Sequence, residues 1–122
     1  MAATETFNRG KFPDVINLIA GAILFLAPWL FGFSGDAPAA WTAWITGAVI
    51  FLLAAAALAA FAVWEEWGNL LVGIWAIISP WIVGFSGDIA AMWSHVILGI
   101  VVAAFAAWEL WMVQRAPPGV HA

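Results

Sequence analysis

The chain has 122 residues, 66% of them hydrophobic and only 8% charged, with a formal net charge of −4, ten tryptophans, no tyrosine and no cysteine. The charged share falls far below the roughly 25% of ordinary soluble domains, and a soluble domain of this size could not hide so much apolar surface. The missing cysteine excludes disulfides, thiolate metal sites and thiol catalysis, and the lack of any basic stretch leaves nucleic-acid binding without electrostatic support.

In chain order, residues 1–13 form an amino-terminal segment carrying Arg9 and Lys11. Four charge-free stretches follow, at residues 15–33, 37–63, 67–87 and 89–108. Each holds about 18 residues or more, enough for a helix to cross a ~30 Å hydrocarbon core. A secretory signal peptide competes for the first stretch, with Arg9 and Lys11 as its basic region and Ala37-Pro38-Ala39 as a small-x-small cleavage site. The run is long for that role, however, and a second copy of it lies mid-chain.

That second copy is explicit. "APWLFGFSGD" from Ala27 to Asp36 and "SPWIVGFSGD" from Ser79 to Asp88 agree at seven of ten positions. A shift of about 52 residues also pairs Asn17 with Asn69, Gly21 with Gly73, Trp41 with Trp93 and Gly47 with Gly99. Beyond Gly99 the register jumps to about 44, where "FAVWEEW" (61–67) matches "FAAWELW" (105–111), which gives helix 2 some eight extra residues in the alanine-rich tract 54–60. The expected fold is an all-α membrane protein of four transmembrane helices, built as two tandem parallel helix-hairpin repeats, residues 14–67 and 68–114, with pseudo-twofold symmetry and a short tail at 115–122. The cations Arg9, Lys11 and Arg115 flank the helices and none lies in a loop, which predicts both termini on the cytoplasmic side of the inner membrane. Trp29, Trp41, Trp44, Trp81 and Trp93 at one level, and Trp64, Trp67, Trp108 and Trp111 at the other, make an interfacial belt; Trp75 alone falls mid-helix. Trp41 to Trp64 as helix covers about 35 Å and Trp93 to Trp108 about 23 Å, so helix 2 is expected to tilt or project.

A two-helix unit with Ser-Pro-Trp late in its first helix resembles the SPW repeat family of small bacterial and archaeal membrane proteins. Ser79-Pro80-Trp81 matches the signature in full, and Ala27-Pro28-Trp29 departs from it at the serine. The resemblance covers roughly residues 17–111 and implies a four-helix integral membrane protein; it implies no catalytic residue.

Each recurring residue has a structural reading. Pro28 and Pro80 free the carbonyls of Leu24 and Ala76, and Ser79 can bond back where Ala27 cannot. Trp29 and Trp81 anchor the kinked segment, Gly32 and Gly84 suit a helix C-terminus needing positive φ, and Asp36 and Asp88 suit the next N-cap, with Pro38 in its first turn. The competing reading of Asp36 and Asp88 is joint binding of a cation or of a partner's basic group. Gly21, Gly47, Gly73 and Gly99, one per helix, read as helix-packing positions, and Asn17 and Asn69 as bonding across helices or to headgroups.

His95, four residues before Gly99, is the one intramembrane histidine. It reads as a solvated or hydrogen-bonded side chain, or else as a ligand to chlorophyll or haem. Glu65 and Glu66 in the helix 2–3 loop, and Glu109, are expected to snorkel or to pair with Arg115 or an amino-terminal cation, the rival being a functional intramembrane acid. No nucleophile–base pair, metal cluster or phosphate loop is apparent, so no enzyme is expected and no cofactor is required. The function expected is a membrane scaffold that self-associates or serves as an accessory subunit among lipids and other membrane subunits. The alternatives are a small transporter or channel through Asn17, Asn69, Thr46 and Glu109, and a pigment- or haem-binding subunit through His95.

Overall fold

A computed structural model describes residues 11–60 and 62–115. The chain forms four helices: α1 Phe12–Leu30, α2 Ala37–Ala59, α3 Val63–Ser79, which runs on through a π turn at Pro80–Gly84, and α4 Ile89–Arg115. All four, α3 together with its π turn, are long and apolar enough to span a membrane. In lipid the backbone must satisfy its own hydrogen bonds, so runs this apolar are stable only as helices or closed barrels. Helix α1 packs along α2 and α3 along α4, while α1–α4 and α2–α3 contacts close the bundle. The bundle therefore has a corner face, where the two Ser-Gly-Asp turns lie, and a terminal face, where α1 and α3 begin and α2 and α4 finish.

Within each hairpin the helices meet backbone to backbone. A methyl placed on Gly21 would lie 2.7 Å from the amide nitrogen of Phe51 and 2.9 Å from the carbonyl oxygen of Gly47. The same test on Gly73 gives 2.8 Å to the nitrogen of Ala103 and 3.0 Å to the oxygen of Gly99. Close approach of this kind supplies the dispersion that lipid-facing side chains cannot. One glycine from each helix makes these contacts. Around them lie Ala20, Leu24, Ala27, Ala39, Ala43, Ile50, Ala91 and Val102.

The two corners are built alike. Phe33 N–H donates to Pro28 O at 2.9 Å and Phe85 N–H to Pro80 O at 2.8 Å, each across a glycine of positive φ, +79° at Gly32 and +101° at Gly84. This is the six-to-one bond of a helix terminating in a left-handed residue. Asp36 then accepts from Ala39 N–H at 3.4 Å and Asp88 from Ala91 N–H at 3.3 Å, starting α2 and α4. Ser79 Oγ donates to Ala76 O at 2.9 Å, covering the carbonyl that Pro80 leaves without its helical donor.

The α2–α3 connection corrects the sequence reading. Helix α2 stops at Ala59, Ala60 and Ala62 are extended, and Trp64 belongs to the first turn of α3. No 35 Å helix from Trp41 to Trp64 exists, and helix 2 has no eight-residue excess to tilt away. The buried stripe of α2 (Ala39, Ala43, Gly47, Ile50, Ala54, Ala57) and that of α4 (Ala91, His95, Gly99, Val102, Ala106, Glu109) keep one register to the end. The "FAVWEEW" match straddles the α2–α3 break while "FAAWELW" lies inside α4, so the two segments have different structural roles. What ends α2 is local hydrogen bonding. Glu65 Oε1 accepts from Ala62 N–H at 3.0 Å, and Lys11 Nζ donates to Leu58 O at 3.0 Å.

Candidate functional site: a buried acidic cluster at the terminal face

Three helices bring an acid to one place at the terminal face. Asp14 comes from the first turn of α1, Glu66 from the first turn of α3 and Glu109 from α4. One carboxylate oxygen from each lies within 4.8 Å of the other two. Their relative exposures are 1%, 0% and 3%, respectively. No hydrogen-bond donor from outside the cluster reaches either oxygen of Asp14 or of Glu66, or Oε2 of Glu109, while Glu66 and Glu109 each lie within hydrogen-bonding reach of Asp14. Asp14 and Glu66 lie in first turns, where the helix dipole favours an anion, whereas Glu109, towards the C-terminal end of α4, gains no such help.

The cluster was not foreseen for Asp14, and the expectation of snorkelling acids is corrected. Glu65, Glu66 and Glu109 are all buried, and Glu65 and Glu66 lie in the first turn of α3 rather than in a loop. Glu65 is engaged in starting its helix, whereas Glu66 turns inward to Asp14 and Glu109. The side chain of Arg115 lies outside the described residues. One signal in the sequence could have found the site. Asp14 precedes Asn17 as Glu66 precedes Asn69, by three residues in each repeat and in the same register.

Those asparagines lie one turn deeper on the same helix faces. Both are fully buried. Asn17 Nδ2 donates to Val102 O at 3.4 Å, as expected of a residue bonding across helices, while its Oδ1 has no partner. Asn69 has no partner at either amide atom. Thr46 is buried as well and accepts from Trp75 Nε1 at 3.2 Å, which gives the mid-helix tryptophan its partner. None of the residues named for a transport path is open to solvent.

At the corner face Asp36 and Asp88 come together. Partial burial, and then the Asp88 side chain within hydrogen-bonding reach, hold the Asp36 carboxyl above its ordinary 3.8. Beneath them His95 is completely buried between Phe85 and Phe33, at ring-centroid distances of 4.7 and 6.3 Å. Its Nδ1 pairs with Ala91 O at 2.8 Å, and Nε2 has no partner. Ligation of a macrocycle by Nε2 would require displacing this aromatic enclosure. On the outer surface a groove of about 340 Å³ runs between α1 and α4, lined by Ile23, Phe31, Trp93, Ile97 and Leu98 among others.

A family model for the SPW repeat domain matches residues 11–109 of the chain. No curated protein and no solved structure matches it.

Proposed function

The chain belongs to the SPW repeat family, and from that premise we propose that it is a non-enzymatic membrane scaffold, self-associating or serving as an accessory subunit of a larger membrane complex. The observation that carries this reading is the closed middle of the bundle. Gly21 against Gly47 and Gly73 against Gly99 leave no room between paired helices, and alanine, leucine, isoleucine and valine fill the rest. In mid-bundle Thr46 and Trp75 satisfy each other, and the buried acids and His95 lie towards the two ends. The outward faces carry large apolar side chains, with Trp29, Trp41, Trp81 and Trp93 towards the corner face and Trp64, Trp67, Trp108 and Trp111 towards the terminal face, all exposed. Such a body is suited to lipid and to neighbouring helices rather than to a water-filled path. In this reading the two hairpins are related by a pseudo-twofold axis along the membrane normal, and the terminal face looks into the cytoplasm across the inner membrane.

The acidic cluster is the one observation that favours a small transporter. The packed layer between the cluster and the corner face gives it no conduit. A pigment-binding role is opposed by the enclosure of His95.

The test is the mass of the particle. Extraction into copolymer nanodiscs followed by native mass spectrometry should give a multiple of 13.1 kDa, or 13.1 kDa units bound to a second protein. A lone 13.1 kDa species surrounded by lipid overturns the proposal.

A further inference from the structure

Three acids buried together, with no partners but one another, cannot all be ionised in a low-dielectric site unless positive charge joins them. Either protons shared among the acids or a cation must do so, and the donor set says which cation would fit. Asp14, Glu66 and Glu109 offer oxygen atoms mutually within 4.8 Å. One cation can therefore reach an oxygen of each acid, and a buried site favours Ca²⁺, which takes protein oxygens throughout, over Mg²⁺, which usually keeps several waters. The set contains no sulfur and no imidazole, so it is a hard-cation set.

A second observation, independent of the acids, points the same way. Asn69 is fully buried with both amide atoms unpaired, on the face of α3 that carries Glu66. A membrane helix has no reason of packing alone to keep an unsatisfied amide there, since each unpaired buried polar atom costs about 1–3 kcal/mol. A neutral carbonyl oxygen beside carboxylates is, however, a common Ca²⁺ ligand. The Oδ1 of Asn17, unpaired on the face of α1 that carries Asp14, is a further oxygen of the same kind.

We propose that Asp14, Glu66 and Glu109, with the amide oxygen of Asn69, bind one divalent cation of the Ca²⁺ class at the terminal face, tying α1, α3 and α4 together. The cation neutralises most of the cluster's charge and links the two hairpins at a point where no glycine contact does so. Binding then stabilises the folded bundle by mass action.

Chelator-stripped protein in nanodiscs is titrated with Ca²⁺, and separately with Mg²⁺, while the unfolding temperature is followed. Terbium luminescence, sensitised by the protein's tryptophans and displaced by Ca²⁺, gives a second readout that does not depend on stability. The expected result is a saturable rise in unfolding temperature with Ca²⁺, weaker with Mg²⁺. Both this rise and the Ca²⁺-displaceable terbium signal should fall at least tenfold in apparent affinity in Glu66→Gln and Asp14→Asn. Asp36→Asn, at the opposite face, should keep both. The proposal is overturned if the wild-type protein shows neither signal, if the two variants keep them, or if Asp36→Asn abolishes them. It is equally overturned if Glu66→Gln and Asp14→Asn change only the pH dependence of stability, which would mean that protons hold the cluster.

Discussion

Gly21 and Gly47 face each other so closely that a methyl group on either would stand within 3 Å of the other's carbonyl oxygen, at 2.9 and 2.8 Å. The contact holds the first hairpin together, and Gly73 with Gly99 repeats it in the second. Because the clashing atoms belong to backbone, no side-chain rotation can relieve them. Gly47→Ala and Gly99→Ala should each destabilise the bundle by about 1–3 kcal/mol, the usual cost of overpacking. Gly35→Ala, where an added methyl meets nothing within 4 Å, should stay within about 0.5 kcal/mol of wild type. Reversible unfolding in mixed micelles checks the contrast, and equal effects at all three positions would contradict it.

The two corners differ at one hydroxyl. Ser79→Ala removes the bond to Ala76 O and should cost about 1 kcal/mol. Ala27→Ser places a hydroxyl where Pro28 leaves Leu24 O without its helical donor, and should be neutral or stabilising. The same unfolding measurement reads both; a loss on Ala27→Ser would show that the second corner is not a guide to the first.

The Asp36–Asp88 pair gives a pH dependence of definite sign. Asp36 titrates above its ordinary 3.8 in the folded protein, raised by burial and by Asp88. Between 3.8 and the folded value the native state therefore holds more protons than the unfolded state, and stability falls as pH rises through that window. Asp36→Asn should flatten this part of the curve, while asparagine still caps α2. An unchanged slope in the variant would remove Asp36 as its source.

His95 should bring no colour to the protein. With its ring enclosed by Phe33 and Phe85 and Nδ1 engaged by Ala91 O, material purified from its native membrane should show no visible absorption band. A band lost in His95→Leu would restore the pigment reading.

Four helices, both corners and the glycine contacts were legible in the sequence because each rests on local chemistry. An apolar run of membrane length, a Pro-Trp-x-x-Gly corner followed by an aspartate cap, and a small residue at a fixed register each announce themselves within a few residues. The end of α2 was not legible. Ala59, Ala60 and Ala62 contain no glycine or proline to stop a helix, and the break is made by Glu65 reaching back to Ala62. The acidic cluster was hidden for another reason. Asp14, Glu66 and Glu109 are far apart in the chain and meet only when α1, α3 and α4 assemble. Asp14 also sits beside a basic segment, where an acid reads as surface. Its alignment with Glu66 in the repeat register was the available clue.

The central claim is that this closed bundle uses its outer faces to associate within the membrane. The absence of native cysteine allows single cysteines to be placed at exposed Leu52 or Ile97 and labelled with donor and acceptor dyes. Energy transfer between copies is then followed in liposomes as lipid is added. Association predicts transfer that persists on dilution well above the level set by random proximity, or that returns only when the native partner is co-reconstituted. Transfer that falls to the random level at every protein-to-lipid ratio, with no partner restoring it, would contradict the account.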